Sequence, residues 1–378
     1  MTRSRFGSIR KVGESRWEVR WTAGGVRRSK VVHGTKADAS KVLAMAEMES
    51  GEIARDALWK DYWELRVEPS LAGLQAATIA DYRKSWRALA PWIAGDWVSK
   101  AVPRWCERVL SHYSPGMAPH HARLLKKMCR MAVADGLLAR DPFATLRVKA
   151  APRRPKALLA AEDVKPWMEA IRGLKYEPVL LCELGGGLRH EEACALTWED
   201  VTEWAHDGRV YAILSVSKAL VVVEGHKYLK EPKNAFSGRE SVLGEPFASR
   251  LLELSAGKSG PLLPSGIIDH ADGAAPYSSP VTLTHNWKVW CTAHGVGYVP
   301  PKNLRSTFAT LHGEAGSPDS LVSGAMGHAD GSTKARHYQS ITRRGLALIA
   351  DNLAAYLEQL YSQSTFTTIG RRGNEGDG

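Results

Sequence analysis

An arginine three residues ahead of a glutamate opens the chemistry of this 378-residue chain. The segment GGGLRHEEACALTWEDV at Gly185–Val201 places Arg189 before Glu192. Arginine presents a planar fork of donors that matches two phosphate oxygens, and an acid one helical turn on can hold that fork in place. A second segment, PPKNLRSTFATLHGEAG at Pro300–Gly316, carries Lys302 and Arg305 ahead of a small, apolar helical run. AMGHAD at Ala325–Asp330 supplies His328, and STKARHYQS ten residues later supplies Tyr338. Taken singly these are weak signals, because a lone arginine near a helix start is usually solvated and a lone histidine is more often structural. Taken together, two arginines, a lysine and a histidine meet the needs of phosphodiester transfer, in which extra charge on two non-bridging oxygens has to be stabilised, and they do so without metal.

The elements that must position these groups can be read from periodicity. Near the start, RWEVRWT at Arg16–Thr22 alternates Trp17, Val19 and Trp21 with Glu18, Arg20 and Thr22, the period of a half-buried strand. Phe6–Lys11 and Arg27–His33 flank it as strands, Gly24 and Gly25 mark a turn, and Thr35 with Asp38 signals the cap of a helix running to about Glu49. Residues 1–50 are therefore expected to form a three-stranded sheet with one helix. From 52 to 150 the pattern is helical, with Ile79, Tyr82, Trp86, Leu89 and Trp92 at three- and four-residue spacing and further helices at Trp105–Leu110 and His120–Ala134. The latter carries Arg123, Lys126, Lys127 and Arg130, which can face phosphates or simply solvent. APRRPK, ending at Lys156, combines proline stiffness with three bases and reads as an extended linker and domain boundary. Residues 155–360 mix helices (Ala161–Arg172, Glu177–Leu184, His190–Leu196, Arg343–Leu360) with strands at Val210–Val216 and Leu220–Val223. The polar tail 361–378 is expected to be disordered. The fold class is thus multidomain α+β: a small sheet plus helix, an all-α middle domain, and a mostly α third domain with a small β-sheet.

Composition narrows the partners. Lys and Arg number 51 against 40 Asp and Glu, a net charge of +11, which favours a polyanion. Residues 1–30 hold nine bases and two acids, so much of the excess sits in one segment. The five cysteines are far apart and lack CxxC pairing, which argues against a disulfide framework or zinc module. No apolar stretch approaches the ~20 residues needed to span a bilayer, and the start lacks a hydrophobic signal core, so a soluble intracellular protein without membrane partners is expected.

The four segments resemble the tyrosine recombinase, or phage integrase, family. Gly-Leu-Arg-x-x-Glu resembles the family's first box, Lys302-x-x-Arg305 its second, where histidine usually stands in place of Lys302, and Met-Gly-His the Leu-Gly-His element. Tyr338 resembles the nucleophile, set one residue further from His328 than the common spacing of nine; His337 lies at that spacing but is no phenol. Between the boxes the family uses a hairpin lysine to protonate the leaving 5′-oxygen. Lys233, in EPKNAFSGRESV, has the best context, with Lys230 and Lys227 as alternatives. The order of the elements, Arg, Lys, Lys-x-x-Arg, His, Tyr, lifts weak signals to a strong one over about residues 155–345.

The resemblance implies a site-specific recombinase that cleaves and rejoins DNA through a 3′-phosphotyrosine, integrating or excising a phage or other mobile element. Its catalytic set would be Arg189, Lys233, Lys302, Arg305, His328 and Tyr338, with Glu192 supporting. Domains 1–50, 52–150 and 155–360 would bind arm-type DNA, bind core DNA and catalyse, with Arg16, Arg20 and Arg28 on one exposed side of the sheet. No cofactor, metal or ATP is expected, and no GxxxxGK[ST] loop is present. The implied partners are double-stranded DNA with core and arm sites and a homotetramer on it, with room for an excisionase and a host DNA-bending protein, in a bacterial cytoplasm. The stripe Leu346, Ile349, Leu353, Tyr356 and Leu360 either packs on its own domain or docks on a neighbouring protomer. A type IB topoisomerase and a catalytically inactive DNA-binding relative are the competing readings, while a metal-dependent nuclease would need a carboxylate set that the sequence does not offer.

Overall fold

The computed structural model describes residues 7–23, 26–49, 56–152, 155–230, 238–265, 276–327 and 342–372, with backbone only for 23, 47–49 and 363–372. The chain divides into two compact units, Met1–Arg153 and Arg154–Gly378. Its class is mixed α+β.

The first unit opens with strands β1 (Gly7–Gly13), β2 (Arg16–Ala23) and β3 (Val26–His33), paired antiparallel in that order, followed by helix α1 (Lys36–Glu49). Trp17, Val19 and Trp21 pack with Ala39 and Leu43 of α1. The reciprocal cap forms: Asp38 accepts from the Thr35 backbone N–H at 2.8 Å, and the Thr35 hydroxyl accepts from the Asp38 N–H at 3.3 Å. Register corrects one expectation. Directly opposed residues of an antiparallel pair share a face. Arg28 stands opposite Trp21, on the helix side, whereas Arg16 and Arg20 oppose His33 and Ser29 on the other side. Arg27, opposite Thr22, and Arg10, opposite Glu18, join Arg16 and Arg20 there. The sequence run VRRSK gives no register, so the neighbouring Arg27 and Arg28 are easily exchanged.

The rest of this unit is helical: α2 (Trp59–Tyr62), running on into a π-helical turn at Trp63–Val67, then α3 (Ala76–Ile93), α4 (Pro103–Leu110) and α5 (Ala118–Ala134). Trp59 stacks on Trp105 at 6.0 Å in a core with Leu89, Ile93, Leu124, Leu125 and Met128. Trp92 does not join the stripe assigned to it. One residue is about 100° of helix, and Ile93 completes the buried face while Trp92 turns outward, 49% exposed, to stack on His112 at 3.6 Å. On α5, Arg123, Lys126, Lys127 and Arg130 fall at i, i+3, i+4 and i+7, one face opposite the buried Leu124, Leu125, Met128 and Cys129. Arg130 pairs with Asp141 at 3.4 Å and Arg123 lies 3.9 Å from Asp81.

The second unit is built on α7, buried along its whole length. In chain order it contains α6 (Val164–Ile171), α7 (Glu177–Gly186), α8 (His190–Ala193), β4 (Val201–His206), β5 (Arg209–Val216), β6 (Ala219–Val223), β7 (His226–Lys230) and β8 (Arg239–Leu243). Helices α9 (Phe247–Ser255), α10 (Pro280–His294), α11 (Pro301–Glu314), α12 (Asp319–Ala325) and α13 (Arg343–Arg372) follow. One antiparallel sheet has the order β4-β5-β8, and β6 with β7 forms a separate hairpin. The last helix continues to Arg372 rather than giving way to a disordered tail at 361. Of the apolar stripe, Leu346, Ile349 and Leu353 are buried within this unit, while Tyr356 and Leu360 pack half-buried against its core. Among the described residues no helix is long and apolar enough to cross a membrane.

Candidate active site

Three guanidiniums converge on one carboxylate. Arg189 stands at the N-cap of α8, and Glu192 accepts from its backbone N–H at 2.9 Å and from Nη1 at 2.6 Å. Arg239, the first residue of β8, grips the same carboxylate with Nη2 at 2.8 Å and Nη1 at 3.2 Å. Arg305, on α11, brings Nη1 to 4.0 Å from it. The three arginines also donate to consecutive carbonyls at the end of α12: Arg239 Nε to Ala325 at 2.7 Å, Arg305 Nη2 to Met326 at 2.6 Å and Arg189 Nη2 to Gly327 at 3.1 Å. Arginines are well placed there, because a helix C-terminus leaves carbonyls without intrahelical partners and carries partial negative charge.

The glycines make this packing possible. Gly187 ends α7 at φ 63°, a left-handed conformation, and its carbonyl accepts from Arg305 Nη1 at 2.6 Å. A Cβ at Gly187 would come within 2.6 Å of the Phe308 ring. Gly327 has φ 66°, and a Cβ there would stand 3.0 Å from the Arg239 guanidinium.

Electrostatics separate the roles of the three arginines. The side chains of Arg239 and Arg305 are 8% and 11% exposed, that of Arg189 40%, so Arg189 offers the most accessible fork. Burial pushes the Glu192 carboxyl up, but the hydrogen bonds and charge of Arg239, with those of Arg189, outweigh it and hold the group below its usual range. Burial, aided by the nearby Arg189 charge, brings Arg305 down to about 10, still a cation at neutral pH. Behind the cluster, the His190 ring meets the buried Glu183 carboxylate at 2.7 Å and the Pro280 carbonyl at 2.9 Å, tying α8 to α7 and α10. Among the described residues, no group of three or more His, Cys, Asp or Glu is placed to hold a metal ion.

The structure thus brings together Arg189, Glu192 and Arg305 from segments that the sequence separates by more than a hundred residues. Lys302 is exposed on the first turn of α11, three residues before Arg305. Lys227 and Lys230 lie on β7, and the Lys227 ammonium donates to the Tyr277 carbonyl at 2.9 Å. Lys233, His328 and Tyr338 lie outside the described residues. Arg239 is the group that motif reading missed. It sits in the stretch GRESV, whose strand pattern was legible, but its partner Glu192 is 47 residues away and only the packing of β8 beside α8 reveals the pair.

The result is a cage of three arginines around one carboxylate, built on helix termini and a small sheet. No family model matches the chain. Tyrosine recombinase XerC of Xanthomonas campestris pv. campestris (strain B100) is 30% identical over 153 residues, 36% of this chain and 48% of that protein, and XerC of strain 8004 gives the same figures. The chain spans about half the length of these curated relatives. Among solved structures, the Tn1549 transposon integrase in complex with a circular intermediate DNA superposes with a TM-score of 0.58 at 18% identity, covering 79% of this chain and 98% of that one. A lambda integrase tetramer bound to a Holliday junction gives a TM-score of 0.53 at 16% identity, covering 91% and 100%. The fold is that of these integrases. Over the matched 153 residues the chain is similar in sequence to these tyrosine recombinases.

Proposed function

We propose that the chain is a site-specific DNA recombinase of a phage or other mobile element, which cuts and rejoins strands through a 3′-phosphotyrosine. The observation that carries this reading is the Arg189–Glu192–Arg305 cluster, in which a buried carboxylate orients donors for an anionic oxygen. Tyr338 attacks the scissile phosphorus through its phenolic oxygen, releasing its proton to solvent as the P–O5′ bond breaks. Lys233 gives a proton to the departing 5′-oxygen. Lys230 and Lys227 are the alternatives to it. Arg189, Arg305, Lys302 and His328 stabilise the charge on the non-bridging oxygens. The phosphotyrosyl bond replaces a phosphodiester of similar energy, so a second strand's 5′-hydroxyl can reverse the step without ATP.

In this reading double-stranded DNA is the substrate. Residues 52–150 grip the core site through Arg123, Lys126, Lys127 and Arg130, and residues 1–50 contact arm sites. Four protomers assemble on the DNA, as the lambda integrase does on its Holliday junction. An excisionase and a host DNA-bending protein would set direction in a bacterial cytoplasm. A nicked suicide substrate that loses its 5′-hydroxyl fragment should trap covalent protein–DNA with the wild type and none with Tyr338→Phe, DNA binding being retained. Normal covalent yield from the variant would move the nucleophile elsewhere. Relaxation of supercoils without joining of two partner sites would replace the recombinase by a type IB topoisomerase.

A further inference from the structure

We infer that Arg239 is a positioning residue for strand cleavage, acting through Glu192 and through the end of α12 rather than on the DNA. The inference rests on the recombinase reading and deepens it. All three nitrogens of the Arg239 guanidinium are engaged, Nε with the Ala325 carbonyl and both Nη with Glu192, and the side chain is 8% exposed. Arg189 and Arg305 are held through their Nη atoms alone, whereas Arg239 is engaged at Nε as well, so it is the least suited of the three to receive a phosphate. What it fixes are the two supports of the phosphate-facing arginines. Glu192 is the carboxylate that holds Arg189 by side chain and backbone. Ala325 stands immediately before Met326 and Gly327, whose carbonyls accept from Arg305 and Arg189.

The geometry also explains why a third arginine is present. Arg189 alone would leave a carboxylate with 8% side-chain exposure short of donors, and a buried acceptor left unsatisfied is costly. With Arg239 in place Glu192 stays ionised, as its lowered pKa indicates, and both of its oxygens have two donors. Arg239 therefore keeps Arg189 in one rotamer while solvent reaches the outer part of its fork. A lysine can keep the charge but lacks the planar fork that meets both Glu192 oxygens while Nε reaches Ala325.

The test compares single-turnover cleavage of a suicide substrate carrying either the normal scissile phosphodiester or a neutral methylphosphonate. In the neutral substrate the charge that Arg189 and Arg305 stabilise is largely gone, so errors in their placement should matter less. Arg239→Gln is expected to slow cleavage of the phosphodiester by roughly 10- to 100-fold, the size of loss typical when a group that orients an active-site ligand is removed. DNA binding should stay near wild type, and the deficit on methylphosphonate should shrink severalfold. Arg239→Lys should fall between Arg239→Gln and wild type, and it carries the same substrate comparison if Arg239→Gln folds poorly. Equal deficits on the two substrates would show a merely structural residue, and wild-type cleavage of the phosphodiester would show no role; either overturns the proposal. A wild-type protein that traps no covalent complex would instead overturn the recombinase reading beneath it.

Discussion

Arg189 and Arg305 share a carboxylate yet stand in different surroundings, and the difference separates their contributions to rate and stability. Each can stabilise transition-state charge, and removal of one such donor costs on the order of 10²–10³ in rate. Arg305→Ala also strands the Gly187 and Met326 carbonyls, each an unmade buried bond of about 1–3 kcal/mol. Arg189 is partly solvated, so its loss is better tolerated by the fold. Both alanine variants are therefore expected to lose cleavage far more than DNA affinity, with a marked fall in Tm only for Arg305→Ala. Equal losses of cleavage and affinity would reduce both to anchoring residues. Arg189 and Glu192 were legible in the sequence because their contact is local, three residues within one helical turn. Arg239 was not, because its pairing with Glu192 exists only once β8 has packed beside α8. Arg28 shows the complementary failure: its charge was visible, but which side of the sheet it occupies depends on a register that only the paired strand supplies.

Helix α11 joins the site to the core, with Arg305, Phe308 and His312 on successive turns. The His312 ring is 1% exposed, meets the Phe308 ring at 4.2 Å and the Ser317 hydroxyl at 3.1 Å, and burial lowers its pKa to about 4. The folded state therefore binds its proton less readily than the unfolded chain, whose histidine titrates near 6.5. The stability so gained is complete above about pH 6.5 and is lost as pH falls towards 4, by up to ~3 kcal/mol at about 1.4 per pKa unit. His312→Gln should flatten this dependence between pH 6.5 and 4 relative to wild type in urea melts; parallel curves would show that His312 is not the group titrating. At the facing end of α7, Gly187→Ala must adopt a left-handed backbone, at about 1–2 kcal/mol, and press on Phe308, overpacking of about 1–3 kcal/mol. Its melting midpoint should drop by several degrees and cleavage with it, since the Gly187 carbonyl holds Arg305. An unchanged midpoint would mean that Phe308 has room to move. Most of these helices were legible because buried faces repeat every three to four residues. Their ends were less so: the helix expected over His190–Leu196 stops at Ala193, and the last helix runs on past Tyr361. Where an apolar stripe finds its partner is a tertiary fact, and Leu346, Ile349 and Leu353 find theirs in the same unit.

At the scale of the whole chain, the N-terminal sheet is where charge and geometry make the sharpest statement about DNA. Nine bases crowd the first thirty residues, and β-pairing sorts those it carries onto two faces. Trp17, Val19 and Trp21 commit one face to α1, and in the proposed reading the other, with Arg10, Arg16, Arg20 and Arg27, meets a groove or a phosphate backbone. Arg28 lies on the committed side. The bland alternative is a basic appendage that adds only non-specific affinity, for which the face would not matter. Salt dependence does not distinguish the two, because either loses about 0.9 log units of affinity per log unit of salt for each phosphate contact released. Sequence selectivity and sidedness do. In footprints of the full chain on DNA containing a crossover with its flanking regions, Arg16→Ala with Arg20→Ala should abolish protection of discrete flanking sites. Cleavage of isolated core-site DNA should survive, because the arginine–carboxylate cluster of the proposed site lies in the second unit alone. Arg28→Ala should leave the flanking footprints in place, with affinity changed severalfold at most, the effect of one lost phosphate contact. Equal effects from the two faces, or no discrete flanking protection by the wild type, would reduce the sheet to a non-specific anchor.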